Sequence, residues 1–215
     1  MAWAILPIGA HEQHGAHLPL ETDTIVAGAL SMAVAARLGG RALPALPYGT
    51  SSEHIDFAGT VPLRWATLAA VVTDVVAACW YHHVDPVFVL SGHGGNFILN
   101  PTLRELNAHN RPDHQAVLIP ESVVFGPAMT ETDLHAGRWE TSLILHLRPD
   151  LVQMGNAVDE VPRNVIRGDL TNRPMQHFTR SGVWGRPTEA TPEEGERLFA
   201  EMVGRLVGYV GGWVS

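Results

Sequence analysis

The order of apolar and polar positions along this chain predicts short strands alternating with helices. Ala4 to Ile8 is an unbroken apolar run, followed by a polar stretch from Gly9 to Asp23. From Thr24 to Leu38 the alanine and aliphatic positions fit a helix, with Thr22 or Asp23 as a candidate cap and Gly39-Gly40 as the stop. Arg41 to Leu46 reads as a second short strand, and a loop rich in Gly, Ser, Glu and His follows to Pro62. Leu63 to Trp80 is apolar enough for a largely buried helix. Pro86 to Leu90 (PVFVL) predicts a buried strand that runs into SGHGGN, with a helix from Phe97 to Ala108 after it. Ala116 to Ile119 is a fourth strand, Gly137 to Leu147 a further helix, and Val152 to Pro187 has little periodicity. Thr191-Pro192-Glu193-Glu194 supplies a capping box with proline at the first helical position. Leu198, Phe199, Met202, Val203, Leu206, Val207 and Val210 then form one apolar stripe, read as core.

That alternation predicts an α/β fold: a layered α/β/α domain with a mainly parallel central sheet. Such sheets bind ligands at the carboxyl ends of their strands. The two most unusual polar clusters follow the first and third strands. With no internal repeat, low-complexity tract or linker, residues 1–215 are expected to form a single domain.

Composition narrows the class. Hydrophobic residues are 46% and charged residues 17%, so the chain is expected to fold. A formal net charge of −8 argues against nucleic acid as a partner and gives no pull toward an anionic membrane. No apolar run nears the ~20 residues a spanning helix needs, and no signal peptide is evident, so a cytoplasmic setting is expected. Cys79, in AACW, is the single cysteine, cannot form an internal disulfide, and reads as a small buried filler. The unusual count is twelve histidines, several in Gly-flanked polar clusters.

Four clusters can carry chemistry. In Gly9 to Asp23, alternate residues of an extended segment point the same way, so Glu12 and His14 can present a carboxylate and an imidazole together. Asp23 can return to the same point. A carboxylate can bridge two cations, and imidazole suits borderline metals. Ser91 to Asn96 places His93 among glycines that allow close backbone approach, yet lacks the glycine-rich nucleotide-binding patterns, which favours metal or acid–base work. His135 and Glu140 stand at the entrance of a helix and can face a pocket there. Gly49 to Thr60, carrying Ser52, Glu53 and His54, is suited to lining a substrate pocket. Trp139 can wall the pocket or pack in the core. His177 and Trp184 lie in the aperiodic region, where lid, subunit contact and plain surface are all open.

GAHEQHGAHLPLETD, SSEH with FAGT, GHGGN and HAGRWETS, in this order, resemble the creatininase (creatinine amidohydrolase) family. The resemblance runs from Leu6 to about Leu151, with a weaker tail match over Gly182 to Thr188. It implies that Glu12, His14, Asp23, His93 and Glu140 ligate two divalent ions (zinc, manganese or iron) with Asp23 between them. His135 and Glu140 are then the catalytic pair, and Ser52, Glu53, His54, Gly94, Gly95, Asn96 and Trp139 bind substrate. Such ions lower the pKa of a shared water and stabilise an oxyanion, and a protonated His135 would supply the proton for the leaving nitrogen. The resemblance also implies a homo-oligomer, often a hexamer. Two departures set the chain apart from creatininase itself: glycine at position 95, where creatininase has a carboxylate, and no tryptophan just before His135. They point toward mycofactocin-peptidase-like or formamide-hydrolase-like members, and so to a small cyclic or linear amide or a short peptide as substrate. Two other readings stay open: a metal-dependent isomerase or C–C hydrolase on a sugar-like ketone, and a non-enzymatic α/β binding module.

Overall fold

The computed structural model describes residues 3–110, 114–163, 165 and 167–214. Four strands form one parallel sheet: β1 (Ala4–Ile8), β2 (Arg41–Ala42), β3 (Val87–Ser91) and β4 (Ala116–Leu118), in the order β2-β1-β3-β4. β1 and β3 pair along their full length, from Ala4 opposite Val87 to Ile8 opposite Ser91. Both faces of the sheet are buried, which is why these strands read as continuous apolar runs without polar alternation. Ile5, Phe88, Leu90 and Val117 point to one face. There they meet α1 (Thr22–Leu38), α4 (Glu121–Val124), α5 (Arg138–Leu147) and α6 (Pro192–Val214). Leu6, Ile8, Val87 and Val89 point to the other, against α2 (Trp65–Tyr81) and α3 (Leu99–His109). The architecture is the expected α/β/α layering.

The expected strand over Arg41–Leu46 is interrupted. Leu43 N–H donates to Ile5 O (2.8 Å) and Leu46 N–H to Pro7 O (3.0 Å), but Pro7 has no N–H to return to the segment between them. Regular pairing therefore stops at Ala42, and the chain touches β1 again only through a bridge between Ile8 and Leu46.

Three further expectations need correction. α2 is not largely buried: Leu68, Val72, Val76 and Trp80 form a single inward stripe, while Trp65 and Tyr81 are 59% and 80% exposed. Its apolar composition signals hydrophobicity on more than one side rather than burial. α3 begins at Leu99, leaving Phe97 exposed in the turn before it. The capping box at α6 forms only half. Thr191 Oγ1 accepts the Glu194 N–H (3.2 Å), but the Glu194 carboxylate is turned away to Arg138 Nε (2.6 Å) and Ser142 Oγ (3.3 Å). Ser142 Oγ instead accepts the Thr191 N–H at 3.2 Å, so α5 completes the cap of α6. The stripe of α6 is core as expected, with Leu198, Met202, Val203, Leu206 and Val210 buried. Among the described residues no helix is long and apolar enough to cross a membrane.

Candidate metal centre

The two loops that leave the carboxyl ends of β1 and β3 build the centre. After β1 the chain runs to Glu12, whose N–H donates to Leu20 O (3.1 Å), turns back at Gly15 in the left-handed region (φ 66°), and enters α1. That return sets Asp23, in the first turn of α1, beside Glu12 and His14. Asp23 does not cap α1: its carboxylate faces the imidazoles of the site, while the Thr22 hydroxyl donates to Pro19 O (2.7 Å). From β3, Gly92 passes directly over the backbone of Asp23, where a Cβ would overlap Asp23 O. This close approach places His93 against the same carboxylate.

Asp23 stands between two histidines. Its Oδ1 lies 3.2 Å from His14 Nε2 and its Oδ2 lies 3.5 Å from His93 Nδ1. Glu12 Oε1 is 3.1 Å from His93 Nδ1 on one side, and Glu140 Oε1 is 3.8 Å from His14 Nε2 on the other. Two groups able to hold a cation result, Glu12–Asp23–His93 and His14–Asp23–Glu140, sharing Asp23; a third, Glu12–His14–His135, overlaps both. Glu140 is fixed at the start of α5, where its Oε2 accepts the Ala136 N–H. All six side chains are buried. Glu12 Oε1 and Oε2, His14 Nε2 and Asp23 Oδ2 make no hydrogen bond. Buried polar atoms are costly when unsatisfied, and four such atoms converging from carboxylates and an imidazole form the donor set of a divalent cation. The residues fit a metal pair.

The electrostatics agree. Burial pushes the Glu12 carboxyl up to about 7. Burial opposes a charge on His14 and His93, but Asp23 and Glu140 beside the first, and Glu12 and Glu53 beside the second, hold both well above their ordinary value. Burial and the neighbouring His14 lower His135 to about 3, and burial with His135 holds His54 well below its ordinary value. His135 is thus neutral before the reaction begins, so it must first gain a proton before it can supply one to a leaving nitrogen. Its Nε2 donates to Gln13 O (2.8 Å), which leaves an unprotonated Nδ1 toward the centre, 3.8 Å from Glu12 Oε1.

A cavity of about 850 Å³ opens over these residues. Ser52, Glu53, His54, Gly94, Gly95 and Trp139 line it. Phe97, Phe125, Met129, Leu134, Leu170 and Met175 give it a largely apolar wall. Asn96 does not reach it. Its Oδ1 accepts the Thr50 N–H (2.8 Å) while Nδ2 donates to Gly9 O (3.2 Å) and Ser91 Oγ (3.1 Å), so it clasps the loops together from behind. Trp139 packs in the core and also lines the cavity. Trp184 is neither lid nor surface. It is buried, and its N–H donates to His135 O (2.8 Å) while its carbonyl accepts the His135 and Leu134 N–H groups (3.2 and 2.8 Å), which makes it the backbone strut of His135. His177 is exposed and contacts Arg173.

Gln13 is the site residue that the motif reading passes over. Its Nε2 donates to His54 Nδ1 (2.8 Å) and Gly182 O (3.1 Å), and its Oε1 accepts the Gly15 N–H (2.9 Å). The available signal was its place between Glu12 and His14.

The creatininase (creatinine amidohydrolase) family model matches residues 1–210. The mycofactocin precursor peptide peptidase of Mycobacterium ulcerans is 35% identical over 226 residues, spanning 97% of this chain and 84% of the relative. The creatinine amidohydrolase of Pseudomonas putida is 31% identical over 220 residues, spanning 93% and 85%. A crystal structure of creatininase superposes with a TM-score of 0.86 at 30% identity, covering 98% of this chain and 90% of the other. A manganese form of creatininase gives 0.85 at 29% identity over 97% and 90%. Both relatives are hydrolases of amide or peptide bonds by name, and the chain belongs to the creatininase family.

Proposed function

We propose that this chain is a metal-dependent amidohydrolase that cleaves the C–N bond of a short peptide or of a small linear or cyclic amide. The observation that carries the reading is the double use of Asp23, one oxygen toward each of two buried three-ligand groups. Glu12, Asp23 and His93 would hold one ion and His14, Asp23 and Glu140 the other, with zinc, manganese or iron as the metal. When bound, the ions supply Lewis acidity, an activated water and positive charge opposite a developing oxyanion.

The chain's own residues do the rest. His135, held by Trp184 and with Nε2–H committed to Gln13 O, offers Nδ1 as the acceptor for a proton released when the carbonyl is attacked. The same atom returns that proton to the departing nitrogen, so His135 acts as base before it acts as acid. The neutral His54 keeps its proton on Nε2, which faces Glu12 Oε1 at 3.6 Å. The apolar wall excludes water and takes up side chains or ring faces flanking the scissile bond.

The size of the cavity and the relative from Mycobacterium ulcerans favour a short peptide over a compact ring such as creatinine. A second reading has one observation in its favour: a Thermotoga maritima 3-dehydro-scyllo-inosose hydrolase is 27% identical over 239 residues. The homo-oligomer that the family resemblance implies is tested by sizing of the purified protein.

The decisive experiment offers metal-loaded protein a panel of short peptides, formamides, lactams, creatinine and keto-inositols and identifies products by mass spectrometry. Amide or peptide cleavage that chelation abolishes and zinc or manganese restores is expected. Cleavage of the keto-inositol alone would establish the second reading. Full activity after complete metal removal would dismiss the metal-dependent one.

A further inference from the structure

His93 faces two ways. Nδ1 points at the metal centre, 3.1 Å from Glu12 Oε1 and 3.5 Å from Asp23 Oδ2. Nε2 points away from it and is buried without an aligned hydrogen bond, yet Glu53 Oε1 lies 3.2 Å from it. Glu53 comes from a different loop, in a short 3₁₀ turn over Ser52–His54 that follows β2. Its side chain is 20% exposed, so it lies against the imidazole and does not extend freely into the cavity.

The contact depends on position 95. A Cβ on Gly95 would overlap both Glu53 Oε1 and His93 Nε2, so the absent side chain is the space in which the carboxylate meets the ring. Both loops are pinned around that space. Thr50 Oγ1 donates to Gly95 O (2.7 Å) and Thr50 N–H to Asn96 Oδ1 (2.8 Å), while His54 N–H closes the 3₁₀ turn on Ser51 O (3.0 Å). A glutamate held this way is a fixed partner for the ring.

We propose that Glu53 is a positioning residue for His93: its carboxylate accepts a hydrogen bond from the Nε2–H of the imidazole, which keeps the ring proton on that nitrogen and holds Nδ1, with its lone pair free, toward Glu12 and Asp23. This rests on the reading of His93 as a metal ligand. A carboxylate on the far nitrogen of a ligating histidine fixes its tautomer and ring orientation and raises its basicity. Gly95 belongs to the same device, because any side chain there displaces Glu53.

The test measures zinc affinity by chelator competition on substrate-free protein, with steady-state kinetics alongside. Glu53→Ala is expected to weaken the Glu12–Asp23–His93 ion by about 10–100-fold. Glu53→Gln, which keeps an acceptor oxygen at the same reach, should recover most of that loss. Gly95→Ala should reproduce the Glu53→Ala defect, and the double variant should add nothing to it, the signature of two residues acting through one contact. An affinity within about twofold of wild type in Glu53→Ala, with only KM raised, would overturn the proposal and make Glu53 a substrate contact. Unchanged ion content in His93→Ala would instead overturn the ligand reading beneath it. The Glu53→Ala and Glu53→Gln pair decides the outcome even if Gly95→Ala does not fold.

Discussion

Gln13 Nε2 donates to His54 Nδ1 across 2.8 Å, and that one bond fixes which nitrogen of His54 carries its proton. The second Gln13 hydrogen goes to Gly182 O at 3.1 Å, tying the aperiodic segment to the loop after β1. Gln13→Ala leaves a buried ring nitrogen and a carbonyl without a partner, which costs about 2–4 kcal/mol. Urea unfolding of the metal-free protein should show a loss of that size. Hydrolysis should fall as well, because the loop that presents Glu12 and His14 loses its anchor. A variant within about 0.5 kcal/mol of wild type would mean that water replaces the amide at no cost.

Asp23 and Glu140 predict different metal counts. Asp23 belongs to both three-ligand groups, whereas Glu140 belongs to one. Elemental analysis should find that Asp23→Ala loses both ions, while Glu140→Ala keeps the ion at Glu12 and His93. Equal losses in the two variants would contradict the shared position of Asp23.

Of the groups that meet at the centre, Glu12, His14 and Asp23 stood out from the residues alone, because they share one Gly- and Pro-bounded loop; His93, His135 and Glu140 joined them only through the family resemblance, since they lie in loops far along the chain. The strands were legible as unbroken apolar runs because both sheet faces are buried. Partners far along the chain were hidden. Gln13 reaches His54 and Gly182 over 41 and 169 positions, and the strut made by Trp184 sits where no periodicity guides the eye. Asn96 looked like a pocket residue because it follows GHGG, yet the turn sends its amide backward to Gly9 and Thr50. The half-formed capping box has a similar cause: Glu194 matched the pattern, but Arg138, 56 positions away, competes for its carboxylate. Local rules fail where a distant charge offers the stronger partner.

Metal loading should release protons. In the metal-free centre His14 and His93 are held well above their ordinary value despite burial, and the Glu12 carboxyl is pushed up to about 7 by burial. A cation needs those lone pairs free, so each proton present must leave as it binds. Zinc affinity should therefore rise from about pH 6 to pH 8, and titration heats should vary with the ionisation enthalpy of the buffer. Heats independent of the buffer would mean that the ligands are already deprotonated.

Asp133 links the start of α5 to pH. Its Oδ1 accepts the Arg138 N–H (3.0 Å) and its Oδ2 the Trp139 N–H (3.3 Å), so it caps a helix whose own N-cap, Gly137, has no side chain to do so. Burial, then the nearby Glu140, pushes its carboxyl from 3.8 up to about 7. A carboxyl raised by folding stabilises the native state fully below its unfolded value, and that contribution is lost as pH rises through the folded value. Asp133→Asn keeps an acceptor for the helix and has no proton to lose. In chelated protein, the melting temperature of wild type should therefore fall relative to Asp133→Asn from about pH 4 to pH 7 and hold a constant offset above about pH 8. Melting curves that run parallel across that window would mean that Asp133 ionises in the native protein as it does in the unfolded chain.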